Sequence, residues 1–149
     1  MCLKRSEISA SFQGAEDYVS FEIAKLLKEK GFDEGCRLHY HYDEAFDKYF
    51  PTDESISGFE QYYYPCPTLQ MVMKWLREEQ NLFIEIQCYG CEANKKAHFE
   101  YSYVISEFVK TDNKICTVVG LEEKKAKSRF SSYEEACEEA IKYCLEKLI

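Results

Sequence analysis

Apolar positions recur at helical spacing early in the chain. Val19, Ile23, Leu26 and Leu27 fall at i, i+4, i+7 and i+8, the stripe of an amphipathic helix. Ser20 is placed to cap its first turn. Gly31 is placed to end it, with Phe32 behind able to pack back on Leu27 as in a Schellman motif. The period then drops to two: Leu38, Tyr40 and Tyr42 alternate with Arg37, His39 and His41, which predicts a strand over 37–42. Residues 43–60 are acidic and aromatic, hold Pro51 and Gly58 and show no sustained period, so they read as an irregular excursion with at most one helical turn. Residues 61–64 read as a short second strand stopped by Pro65 and Pro67.

The second half repeats the alternation of periods. Thr68 caps a helix whose Leu69, Val72, Met73 and Leu76 face the core while Lys74, Arg77, Glu78 and Glu79 face water, and Asn81 closes it. Leu82, Ile84, Ile86 and Cys88 then alternate with Phe83, Glu85 and Gln87 as a half-buried strand. A turn is expected over 89–96, and Phe99, Tyr101, Tyr103 and Ile105 continue as the return strand of a hairpin. After a turn at 111–113, Ile115, Thr117, Val119 and Leu121 form a third alternating run. Ser132 stands three residues before Glu135, the spacing of a capping box, and opens a final helix with Ala136, Ala140, Ile141, Cys144, Leu145 and Leu148 on its apolar face. The expected order is α-β-β-α-β-β-β-α, an α+β fold with helices packed on one face of a mainly antiparallel sheet.

Composition narrows the functional classes. At 149 residues the chain is long enough for one core, so residues 1–17 are expected as an N-terminal arm and 18–149 as a single α+β domain. The net charge of −8 repels phosphate backbones, which argues against nucleic acid as a partner. Charges interrupt every hydrophobic run, so no membrane span is expected, and the first residues lack the apolar stretch of a secretory signal, which points to the cytoplasm. In that compartment the eight cysteines are expected as reduced thiols, several of them serving as small core residues.

Three stretches are distinctive in combination: 19–34 (VSFEIAKLLKEKGFDE), 67–78 (PTLQMVMKWLRE) and Ser132-Tyr133-Glu134-Glu135-Ala136 with its closing helix. In this order the chain resembles a family of small uncharacterised proteins from bacteriophages and mobile elements of gut Bacteroidales. The resemblance implies a phage or prophage accessory protein in a bacterial cytoplasm, and it names no catalytic residue.

Few residue patterns carry chemistry of their own. Cys88-Tyr89-Gly90-Cys91 has the two-residue gap of a zinc knuckle, but a second pair of ligands would have to come from elsewhere in the fold. His39, His41 and Asp43, at alternate positions of a strand, share a face and offer two imidazoles and a carboxylate to a metal; the competing reading is the solvated face of an edge strand. The order helix, three strands, helix from Thr68 onward is also that of a double-stranded-RNA-binding domain. Lys124, Lys125, Lys127 and Arg129 precede the last helix, but Glu134, Glu135, Glu138 and Glu139 oppose the same phosphates. No nucleophile motif or phosphate-cradling glycine loop is present, so neither an enzyme nor a cofactor is expected. The remaining feature is an acidic, aromatic surface, with Tyr49, Tyr62, Tyr63 and Tyr64 around Asp47, Asp53 and Glu54. Tyrosine brings much contact area with few rotatable bonds, so this segment is expected to bind another protein, with a basic host protein as its natural target.

Overall fold

The computed structural model describes residues 17–54, 63–93, 96–109, 114–119 and 129–149. Among the described residues three α-helices lie where the 3.6-residue spacing places them, and each is capped at its N-terminus by a serine or threonine. In α1 (Phe21–Glu29) the Ser20 hydroxyl oxygen accepts from the Ile23 N–H at 3.5 Å. At its other end the Phe32 N–H donates to the Leu27 carbonyl at 2.9 Å and the Gly31 N–H to that of Lys28 at 3.3 Å, the two bonds of a Schellman motif. Gly31 has φ +79°, and the turn delivers Phe32 edge-on to Trp75 at 5.4 Å.

In α2 (Leu69–Glu79) the Thr68 hydroxyl oxygen accepts from the Met71 N–H at 3.2 Å, and Asn81, just beyond the C-cap, takes φ +56°. Trp75 is buried in this helix beside Leu69, Val72 and Leu76, whereas Met73 packs only at the margin. Ser132 caps α3 (Tyr133–Tyr143) by accepting from the Glu135 N–H at 3.1 Å. The Glu135 carboxylate reaches one residue further back than a capping box requires, accepting from the Ser131 N–H at 3.1 Å and its hydroxyl at 2.9 Å. The chain ends in a wider π-helical turn, Cys144–Leu148, which buries Cys144 and Leu145.

The protein is α+β, and its described residues form one strand more than expected, in two separate antiparallel sheets in place of one. The first sheet contains β1 (Leu38–Asp43), β2 (Lys48–Thr52) and β3 (Tyr64–Cys66) in the order β2-β1-β3. The segment expected to be an irregular excursion therefore supplies a strand, and the short second strand runs through Pro65 instead of stopping before it. Both corrections have one cause. Proline cannot donate to a ladder, but Pro51 and Pro65 lie on the two edge strands, where one side of the backbone needs no partner.

The second sheet contains β4 (Leu82–Ala93), β5 (Lys96–Val109) and β6 (Lys114–Val119) in that order. The turn expected over 89–96 is in fact mostly ladder, because β4 continues through Gly90 to Ala93. Beyond β6 the chain returns to the same edge of β5, where Phe130 bridges Tyr101.

One face of this sheet carries Leu82, Ile84, Tyr103 and Ile105 into the main core, against Val72, Trp75 and Leu76 of α2 and Ala136, Cys137, Ala140 and Ile141 of α3. Helix α1 adds Ile23, Ala24 and Leu27 and carries the small sheet on its other side through Tyr40 and Tyr64. Burying a large aliphatic side chain in such a core contributes about 1.5–3 kcal/mol. Cys66, Cys137 and Cys144 are buried as small apolar residues, whereas Cys88, expected on the core side, is exposed where its strand runs past the helices. No helix among the described residues is long and apolar enough to cross a membrane. Of the expected N-terminal arm only Asp17 is described, its carbonyl accepting from the Leu69 N–H at 2.9 Å.

Candidate functional site

Strands β1 and β2 form a hairpin whose four-residue loop, 44–47, is organised locally. The Asp43 carboxylate accepts from the Ala45 N–H at 3.0 Å, the Asp43 carbonyl accepts from the Phe46 N–H at 3.2 Å, and Asp47 completes the reversal at φ +51°. From this loop the two strands alternate: Tyr40, Tyr42 and Tyr49 share one face, and His39, His41 and Phe50 the other.

The tyrosines expected at a binding surface anchor the hairpin instead. Tyr49 stacks on Phe21 of α1 at 4.0 Å between centroids and 16° between planes, and Tyr64 meets both rings edge-on at 5.1 and 5.6 Å. Tyr40 closes the group against Phe21 at 5.4 Å and donates its hydroxyl to the Val19 carbonyl at 2.8 Å. Burial pushes its phenol well above the ordinary tyrosine range. Tyr63 is buried with its ring 6.0 Å from His39 and 5.4 Å from His41, and its carbonyl accepts from the Lys28 ammonium at 2.8 Å. Tyr62 lies outside the described residues.

The hairpin also displays Phe50, which adjoins Tyr49 in the expected binding segment, and Phe46, which sequence reasoning did not single out. Phe46, at the tip, is 63% exposed and meets Phe50, 39% exposed, edge-to-face at 5.9 Å. Glu44 and Asp47 are exposed in the same loop as Phe46, Asp53 and Glu54 are exposed beyond the far end of β2, and Asp47 accepts a hydrogen bond from the Tyr42 hydroxyl. Parity was the available signal for Phe50. Once 48–52 is a strand with Tyr49 facing α1, Phe50 must face outward.

The expected metal-ligand sets do not assemble as proposed. His39, His41 and Asp43 do share a face, but their donor atoms do not converge. The imidazoles lie against Tyr63, and the Asp43 carboxylate is turned into the loop. Cys88 and Cys91 stand three apart on a continuous strand and so project from opposite faces, Cys88 opposite Tyr101 and Cys91 opposite His98. Among the described residues, one set of potential ligands does gather: Cys91, His98 and Glu100, whose donor atoms all lie within 4.8 Å of one another.

This set occupies the sheet face turned away from α2 and α3. His98 Nε2 is 3.3 Å from Glu100 Oε1, and Arg129 Nη1 is 3.4 Å from Glu100 Oε2 and 4.0 Å from Cys91 Sγ. The guanidinium lies 4.1 Å over the Tyr89 ring, which holds it in place. The hydrogen bond from His98 keeps the Glu100 carboxyl below its usual range against a smaller opposing effect of burial. Burial and the neighbouring Glu100 push the Cys91 thiol up. Arg129 is thus occupied within the protein, and the other basic residues of its cluster, Lys124, Lys125 and Lys127, lie outside the described residues.

No protein-family model, curated protein or solved structure matches the chain.

Proposed function

We propose that this protein is a phage-type accessory protein that acts by binding another protein, without catalysis, and that the β1–β2 hairpin is its docking element. The observation that carries the proposal is the exposed Phe46–Phe50 pair at the tip of a hairpin whose base is locked to α1 by four aromatic rings. An exposed aromatic pair on a preorganised support is costly to leave in water and loses little entropy when covered, which is the profile of an interface anchor. The carboxylates of Glu44 and Asp47 in the tip loop and of Asp53 and Glu54 at the far end of β2, in a chain of net charge −8, favour a basic partner with an apolar centre.

The test is capture of a partner from bacterial host lysate by tagged wild-type protein, followed by affinity measurement with the isolated partner. Replacing Phe46 and Phe50 by serine is expected to weaken binding by about 30-fold or more, the effect of losing an anchor worth about 2 kcal/mol. Changing Asp47, Asp53 and Glu54 to lysine is expected to slow association and remove its salt dependence. A partner held equally well by both sets of variants would show that the hairpin is not the docking element.

A further inference from the structure

The Cys91, His98 and Glu100 cluster has features of its own that the hairpin reading does not use. Its donors are a thiol, an imidazole and a carboxylate, the three side-chain types that bind zinc. They come from a rigid part of the fold: Cys91 and His98 are direct cross-strand partners in the β4–β5 ladder, and Glu100 follows His98 on the same face. Tetrahedral zinc, with bonds of about 2.0–2.3 Å, sets its ligand atoms about 3.4–3.6 Å apart. The 3.3 Å between His98 Nε2 and Glu100 Oε1 is already that separation, and the remaining pairs, at no more than 4.8 Å, need about an ångström of side-chain adjustment.

The surroundings are also ordered. Arg129 holds Glu100 Oε2, leaving Oε1 directed toward the other two donors, and Tyr89 holds Arg129. A partner on the distal oxygen of a ligating carboxylate is the kind of outer interaction that orients metal ligands. The guanidinium charge works against a cation, so it limits affinity while fixing geometry.

From this arrangement we infer that Cys91, His98 and Glu100 form a three-ligand site for a zinc-class divalent cation, with the fourth position open to water. Loading releases the Cys91 thiol proton to solvent, while His98 binds as neutral imidazole through Nε2 and carries its one ring proton on Nδ1. The site differs from the zinc knuckle that the Cys88 and Cys91 spacing suggests: it uses one of those two thiols and excludes the other.

Cobalt(II) is the probe, because a thiolate–cobalt bond gives a charge-transfer band and tetrahedral cobalt gives intense visible absorption. Metal-free, untagged full-length protein titrated with cobalt chloride is expected to develop both signals to one equivalent and to lose them on adding zinc chloride. Cys91→Ser is expected to abolish the charge-transfer band, and His98→Ala and Glu100→Gln to weaken zinc binding at least 10-fold. Cys88→Ser is expected to bind as the wild type does. All four positions lie on exposed or half-exposed stretches of strand, and circular dichroism on each variant confirms that it folds. The inference is overturned if no stoichiometric spectrum develops, or if Cys91→Ser retains the band while Cys88→Ser loses it.

Discussion

Gly31 and Gly90 offer a controlled comparison, because a Cβ placed on either meets nothing within 4 Å. Steric crowding is therefore equal, and only the backbone differs. Gly31 sits at φ +79° in the Schellman turn, where an L-residue incurs about 1–2 kcal/mol of strain. Replacing glycine by alanine also restricts the unfolded chain, which returns about 0.4–1 kcal/mol. The net expectation for Gly31→Ala is a destabilisation of about 1 kcal/mol. Gly90 lies within β4 opposite Phe99, outside the positive-φ region, so Gly90→Ala keeps the entropic gain without the strain and stabilises by about 0.5–1 kcal/mol. With a urea m-value of about 2 kcal/mol/M, the unfolding midpoint should fall by about 0.5 M in the first variant and rise by about 0.25–0.5 M in the second. Equilibrium urea unfolding followed by circular dichroism measures both. Midpoints that move in the same direction would refute the assignment of the difference to φ at Gly31.

Three further outcomes are expected. Ser132→Ala removes the hydroxyl that caps α3, at a cost of about 1 kcal/mol, and should lower Tm by about 2–4 °C in a thermal scan. The Cys66 and Cys144 thiols are each pushed up to about 12 by burial, so the unfolded chain releases these protons first. The stability they contribute is complete below about pH 9 and is lost as pH rises toward 12, so Tm should decline above pH 9, less steeply in Cys144→Ala, and a flat profile would contradict this. Alkylation of native protein at about pH 8, mapped by mass spectrometry, should reach the exposed Cys88 and Cys116 well before Cys66, Cys137 and Cys144, because attack requires an accessible thiolate.

What was legible in the sequence was what local chemistry determines. Ser20, Thr68 and Ser132 cap their helices because a hydroxyl one residue before a helical stripe has few better partners than the free N–H groups of the first turn. Gly31 with Phe32, and Asn81, end theirs for equally local reasons. The α+β class follows from the alternation of the two periods. The misread elements are those whose identity depends on distant neighbours. Pro51 and Pro65 argue against strands until it is known that β2 and β3 are edges, and edge position is a property of the assembled sheet. Gly90 reads as a turn until a complete partner strand is available to extend it.

The candidate sites divide along the same line. Tyr49 and Tyr64 were legible as aromatic residues in an acidic segment, but their direction depends on Phe21, far upstream in α1, against which they pack. Once those rings turn inward, Phe46 and Phe50 remain as an exposed, contacting aromatic pair on the hairpin, beside the exposed Tyr42 on its other face. For the cysteines the decisive quantity is register. With two residues between Ala93 and Lys96, the ladder pairs Cys91 with His98 and Tyr89 with Glu100, and it places Cys88 on the opposite face. Spreading the turn over 89–96 hides that pairing and leaves the two-residue gap between Cys88 and Cys91 as the conspicuous feature. The same dependence makes the site sensitive to register. A one-residue slip of β5 against β4 would turn His98 and Glu100 to the helix-covered face and Tyr103 and Ile105 out of the core. The buried face thus fixes the arrangement of the exposed one. The positions of Cys91, His98 and Glu100 are held by the packing of Ile84 against Ile105 on the other side of the sheet.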